Sequence, residues 1–167
     1  MRFEGSGEAV VPVAPATAFA FLADPRNASA WFAGAGFVAR PQGPPRTGEE
    51  WSFAETPGTR RVTPTHMTRY EPPEHFRWET RLSAWQTNFA WEMRCEPDSE
   101  GTRLRFTIQL RPGLLEYPAA LIGFRLTRRA LARAAERTAE QAAEALTQRQ
   151  DQGRTGAKRV KPRRPRR

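Results

Sequence analysis

Three stretches of the chain alternate strictly between apolar and polar residues. Phe76, Trp78, Thr80 and Leu82 alternate with Arg77, Glu79 and Arg81. Phe89, Trp91, Met93 and Cys95 alternate with Ala90, Glu92 and Arg94, and Leu104, Phe106, Ile108 and Leu110 with Arg103, Arg105, Thr107 and Gln109. A period of two sends one set of side chains to a dry face and the other to a wet one, so these segments predict antiparallel strands of one half-buried sheet. The separators agree: EPPE at 71–74 and the turn from Asp98 to Gly101 are turn-forming. Weaker strand patterns precede them at 3–13, at 49–56 with Trp51 and Phe53 on one face, and at 59–70. In the last of these Pro64, which cannot donate to a ladder, predicts an edge position or a bulge.

Two other stretches have a helical period. In APATAFAFLADPRNASAWF, residues 14–32, Pro15 suits a first helical position and Phe19 and Leu22 form an i, i+3 apolar pair. Asp24 followed by Pro25 stops that helix and starts a second, which carries Trp31 and Phe32 and closes at Gly34 and Gly36. From about Leu115 to Leu146, Leu121, Phe124, Leu131, Ala135, Ala142 and Leu146 recur at three- to four-residue steps, with Arg133, Glu136, Arg137 and Glu140 opposite. A helix of about 30 residues is about 45 Å long and needs a broad apolar surface to rest on. The dry sheet face supplies it. The expected fold is therefore α+β: a run of antiparallel strands with one dry face, a long C-terminal helix resting on that face, two short helices after the first strand, and a cavity where the sheet curves around the helix.

Charge divides the chain. Of the formal net charge of +9 over 167 residues, +8 lies in 149–167, where nine Lys or Arg accompany one acid. Residues 1–148 are thus nearly neutral and read as one domain, with 149–167 as a disordered basic tail. The tail reads either as a solvated extension or as an attachment to an anionic membrane. Contact with nucleic acid through it would be weak, because no aromatic residue interleaves the charges to stack on bases. No obligate protein partner is evident. The N-terminus lacks a basic region followed by an apolar run, and the longest apolar stretch, Pro112 to Phe124, contains Glu116 and falls short of the ~20 residues of a membrane span. A cytoplasmic location is the expectation.

Taken in order, several motifs resemble those of the START-like, or SRPBCC, superfamily, which includes birch-pollen-allergen-like and polyketide cyclase/dehydrase-like proteins. APATAFAFLADPRNASAWF is similar to that family's "AP…vF.fL.DP.n...W" opening, and Gly48–Trp51 to its glycine entry into the third strand. RYEPPEHFRW at 69–78 resembles its "YEPP..l.w" turn, and GTRLRF at 101–106 its "GTrl.f" strand. The resemblance spans about residues 3–147 and implies an α+β helix-grip domain, a curved antiparallel sheet of about seven strands around the long C-terminal helix, with an apolar cavity. A lipid, polyketide, isoprenoid or other hydrophobic molecule would enter beside the long helix. The fold hosts carriers, cyclases and chaperone cofactors alike, so it does not by itself choose among them.

The residues expected to line that cavity are Trp51, Phe53, Phe76, Trp78, Phe89, Trp91, Met93, Phe106 and Ile108 from the strands, with Leu121 and Phe124 from the helix. Trp85 lies between two of the strands. So large an aromatic load suits a greasy or planar ligand, and the competing reading is that it fills the core. Candidates for acid–base work are few. His66 could face the cavity, His75 beside the EPPE turn is expected to be solvated, and Tyr70 and Tyr117 could offer phenol hydrogen bonds. No matching polar set of the cyclase kind is found, so binding or transport without catalysis leads and a polyketide cyclase/dehydrase-type enzyme is the alternative. The single cysteine, Cys95, excludes an intrachain disulfide and a cysteine zinc site and reads as an inert core thiol. The glycine-rich PQGPPRTGEEW lacks the Gly-Lys-Ser/Thr ending of a phosphate loop, and no two-histidine, one-carboxylate cluster appears, so neither a cofactor nor a metal is expected.

Overall fold

The computed structural model describes residues 2–32, 36–39, 43–54, 62–80, 82, 86–114 and 123–159. Its strands are β1 (Phe3–Val11), β2 (Gly36–Ala39), β3 (Glu50–Ala54), β4 (Val62–Glu71), β5 (His75–Thr80), β6 (Asn88–Asp98) and β7 (Gly101–Arg111). They form one antiparallel sheet in the order β1-β7-β6-β5-β4-β3-β2. The three alternating segments are β5, β6 and β7. Trp78 stands opposite Trp91, and Trp91 opposite Ile108, so the apolar positions of neighbouring strands meet on one face. Strand β2 has four residues, too short for an alternation to show in the sequence.

Helix α1 (Pro15–Leu22) begins at the expected proline. The Asp24 carboxylate then accepts a hydrogen bond from the Arg26 amide at 3.0 Å and caps a 3-10 turn, Pro25–Asn27, that leads into α2 (Ala28–Trp31). This bracket packs rings into the inner sheet face. Phe19 lies 5.3 Å from Tyr70 and 5.9 Å from Phe76, and Trp31 lies 5.6 Å from Trp78 and 6.2 Å from Phe106, centroid to centroid.

The long helix α3 (Phe124–Arg159) has 36 residues, about 54 Å at 1.5 Å each. Leu131, Ala135, Ala139, Ala142 and Leu146 form its buried stripe. Its position over β1 follows from two glycines. A Cβ at Gly5 would overlap the backbone of Leu131 and Ala132, and one at Gly7 that of Ala135 and Glu136. Glycine opposite an alanine stripe brings helix and strand backbones together at β1, at the edge of the sheet, instead of over its middle.

The structure bears on three further sequence expectations. The apolar pattern ends at Leu146 but the helix runs on to Arg159, so the boundary expected at 148 falls within it. An apolar stripe reports packing and its end need not end a helix: Gln148, Arg149, Gln150 and Gln152 are good helix formers, Gly153 and Gly156 oppose them, and no proline intervenes until Pro162. Pro64 stands opposite Ser52 of β3, one position beyond Thr65, where the described pairing of β4 with β5 ends. The irregularity in β4 lies between Met67 and Arg69 instead. His75, expected in solvent, is 5% exposed.

Candidate functional site

The two faces of the sheet carry different chemistry. On the inner face Trp51, Phe76, Trp78, Met93, Phe106 and Ile108 are buried, with Trp78 at 5.3 Å from Trp51 and 5.4 Å from Phe76. Phe89 and Trp91 are only half-buried. Their rings stack at 5.8 Å and 14°, and half-buried Phe32 meets Trp91 edge-on at 5.6 Å. Phe32, Trp91 and Phe89 thus form an aromatic ledge between the core and solvent. Phe32 is not among the expected lining residues, because the sequence sets it beside Trp31 in one short helix; the structure separates them, Trp31 buried in the core and Phe32 half-buried on the ledge.

Phe53 occupies β3 opposite Thr63 and Phe37, and Phe124 opens α3. Leu121, Tyr117 and Trp85 lie outside the described residues. Tyr70 is half-buried on the inner side against Phe19. His66 takes the other face: it stands between Glu50 and Glu79 in the register, one position from inward-facing Met67. His66 and Tyr70 are therefore not brought together.

Inner polar groups are mostly absorbed locally. Thr80 Oγ1 accepts from the Phe89 amide at 2.8 Å, and Thr65 Oγ1 donates to the Thr63 carbonyl at 3.3 Å. Buried Glu49, before β3, accepts from the Gly43 amide at 3.1 Å and from Arg46 Nε at 3.2 Å and so holds the 43–46 loop. Trp31 Nε1 is different: it is buried and meets no acceptor among the described residues. Leaving such a donor unsatisfied is costly, so an acceptor arriving with a ligand or a water would be favoured there. Cys95 is buried, and burial pushes its thiol up to about 12, which keeps it in the unreactive form.

The outer face holds a charge network centred on Arg77. It donates from Nε to Glu79 Oε1 (2.6 Å), from Nη1 to Glu92 Oε2 (2.9 Å) and from Nη2 to Gln109 Oε1 (2.8 Å). Gln109 Nε2 passes the chain on to Glu4 Oε2 at 3.1 Å. His75 Nε2 lies 2.9 Å from Glu92 Oε1 without hydrogen-bond alignment, and Arg69 Nη1 lies 3.3 Å from its Nδ1. A shallow pocket of about 230 Å³ opens beside this network over Ala90, walled by Glu79, Asn88, Gln109 and Arg111. Three of the five Arg77 N–H groups are thus taken by acceptors of the outer face. Among the described residues no group of three or more His, Cys, Asp or Glu could hold a metal ion, and no helix is long and apolar enough to cross a membrane.

An unclosed antiparallel sheet with a long C-terminal helix packed against it, its aromatic side chains turned toward the inner face, is a helix-grip-like arrangement. The chain belongs to the polyketide cyclase/dehydrase and lipid transport family, whose model matches residues 2–151. No curated protein matches it. Among solved structures it is similar to a Staphylococcus aureus protein of unknown function, SA2116, at 13% identity and a TM-score of 0.67, covering 90% of this chain and 97% of that one. It is also similar to norcoclaurine synthase from Thalictrum, at 8% identity and a TM-score of 0.61 over 90% and 97% of the two chains. The di-domain aromatase/cyclase StfQ of the steffimycin biosynthetic pathway matches at 16% identity and a TM-score of 0.62, covering 90% of this chain and 52% of that one. At such identities the likeness is one of fold.

Proposed function

We propose that the protein binds and carries a hydrophobic small molecule, a lipid, polyketide or isoprenoid, between the inner sheet face and α3 without acting on it chemically. One observation carries this reading. Glycines hold α3 over the β1 edge, while the half-buried rings are concentrated on β6 and the bracket, at Phe89, Trp91 and Phe32. A cargo inserted there would cover apolar surface that the chain leaves partly exposed. The family's association with lipid transport supports the reading. Against an acid–base enzyme stands the sorting of histidines: His66 and His75 occupy the outer face with Arg77 and Glu92, opposite the rings.

The test is displacement of an environment-sensitive apolar dye by a panel of fatty acids and aromatic polyketides, with native mass spectrometry of the protein from its own host. Binding is expected, and Trp91→Ala or Phe32→Ala should weaken it about tenfold, the usual worth of an interfacial aromatic anchor. Protein that takes up no dye, fatty acid or host extract would overturn the reading. Turnover of an aromatic polyketide that survives His66→Ala but not Tyr70→Phe would favour the cyclase alternative.

A further inference from the structure

We propose that the first four turns of α3 form a docking surface for an anionic membrane. The outward stripe of the helix reads Leu126, Arg129, Arg133, Arg137, Glu140 and Glu144, all exposed and three or four residues apart, hence one above the other. Leu126 is 73% exposed. Residues 124–139 contain five arginines and one acid, Glu136, which flanks the stripe, and the first turn holds no acid at all.

This order opposes what stability alone would select. A helix N-terminus carries partial positive charge and favours acids, yet the first turn here holds Arg125 and no acid. Arg129 and Arg133, and Arg133 and Arg137, are also like charges at the unfavourable i, i+4 spacing. None of the three is in an ion pair among the described residues. An external anionic partner would compensate both effects.

Two leucines identify the partner as a lipid surface and not a polyanion. Leu114, 61% exposed, follows the end of β7, which the pairing of Leu110 with Phe3 places beside the start of β1. The approach of Leu131 and Ala132 to Gly5 sets the start of α3 at that same end. Exposed leucines next to arginines gain from insertion among acyl chains while the guanidinium groups meet headgroup phosphates. A nucleic acid would reward the arginines but not the leucines. The surface stands whether or not a cargo is carried, and it differs from the basic C-terminal end, because Arg159 lies about 50 Å along the same helix from Leu126.

Flotation of the full chain with phosphatidylcholine vesicles, with and without one-third phosphatidylglycerol, tests it. The protein should float only with anionic vesicles and be released by high salt. Replacing Arg129, Arg133 and Arg137 together by Gln should lower partitioning roughly a hundredfold, at about fivefold per charge. The triple Lys replacement should still float, and Leu126→Ser should weaken binding at every salt concentration. Circular dichroism guards against misfolding; the Gln variant should melt no lower than the parent, since it relieves like-charge contacts. Three outcomes would overturn the proposal: undiminished flotation of the Gln variant, loss of flotation only when residues 160–167 are removed, or retention on duplex DNA without binding to anionic vesicles.

Discussion

At the scale of single residues, Glu92 shows how the outer face contributes to stability. Burial alone would push its carboxyl up, but His75, Arg77 and Arg94 outweigh that and hold it below the ordinary 4.5. A carboxylate depressed on folding stabilises the native state above its unfolded value, and that contribution is lost as pH falls through the folded value. Glu92→Gln should therefore cost about 2–3 kcal/mol at neutral pH, the worth of hydrogen bonds to a charged group. The deficit relative to the parent should shrink as pH drops below 4.5. Urea denaturation of both proteins at neutral and acidic pH checks this, and a deficit that stays constant into acid would show that charge is not the cause. The sequence displayed the alternating arginines and glutamates of this face, but not that Arg77 of β5 would reach Glu92 of β6 and Gln109 of β7. That depends on strand register, which a single sequence does not state.

At the scale of elements, β1 illustrates what a pattern can and cannot say. FEGSGEAVV is a poor strand by propensity, yet its glycines fall on alternate inward positions with Phe3 and Val11, where close approach of a helix requires them. Gly5→Ala or Gly7→Ala should each cost about 2–3 kcal/mol or more, because a Cβ would press on helix backbone that cannot rotate away. Gly48→Ala is the useful contrast. Its φ of +86° penalises a side chain, but nothing lies within 4 Å, so only the left-handed penalty of about 1–2 kcal/mol applies. Hydrogen exchange should show weakened protection along α3 in the Gly7 variant and none in the Gly48 variant; equal protection in both would mean the helix is not held by contact at β1. The alternating strands, the split bracket and the long helix were legible because each follows directly from side-chain periodicity. The face of His66 was not, since shifting a strand by one residue exchanges its faces and β4 carries both a proline and a bulge.

At the scale of the whole molecule, the sheet is open at β1 and β2, and α3 closes the inner side over the β1 edge. The question is where along that helix the domain ends. Leu146 is buried, the Arg149 guanidinium lies 4.9 Å above the Phe21 ring, and Gln150 Nε2 donates to the Pro12 carbonyl at 3.3 Å. These contacts tie the helix to the bracket three or four residues beyond the last apolar position, past the boundary at 148 that periodicity suggests. Residues 151 and 152 are exposed. A chain ending at Asp151 should therefore melt within about 2 °C of the full protein, since exposed terminal backbone contributes little. A chain ending at Ala145 forfeits Leu146 together with the Arg149 and Gln150 contacts. Loss of one buried leucine costs about 2–5 kcal/mol, which at 2–4 °C per kcal/mol for a domain of this size lowers the melting temperature by roughly 5–15 °C. Calorimetry of the two truncations separates the cases. If the chain ending at Asp151 melts as low as the one ending at Ala145, the structural domain extends through the whole of α3 and its basic end helps to hold the fold.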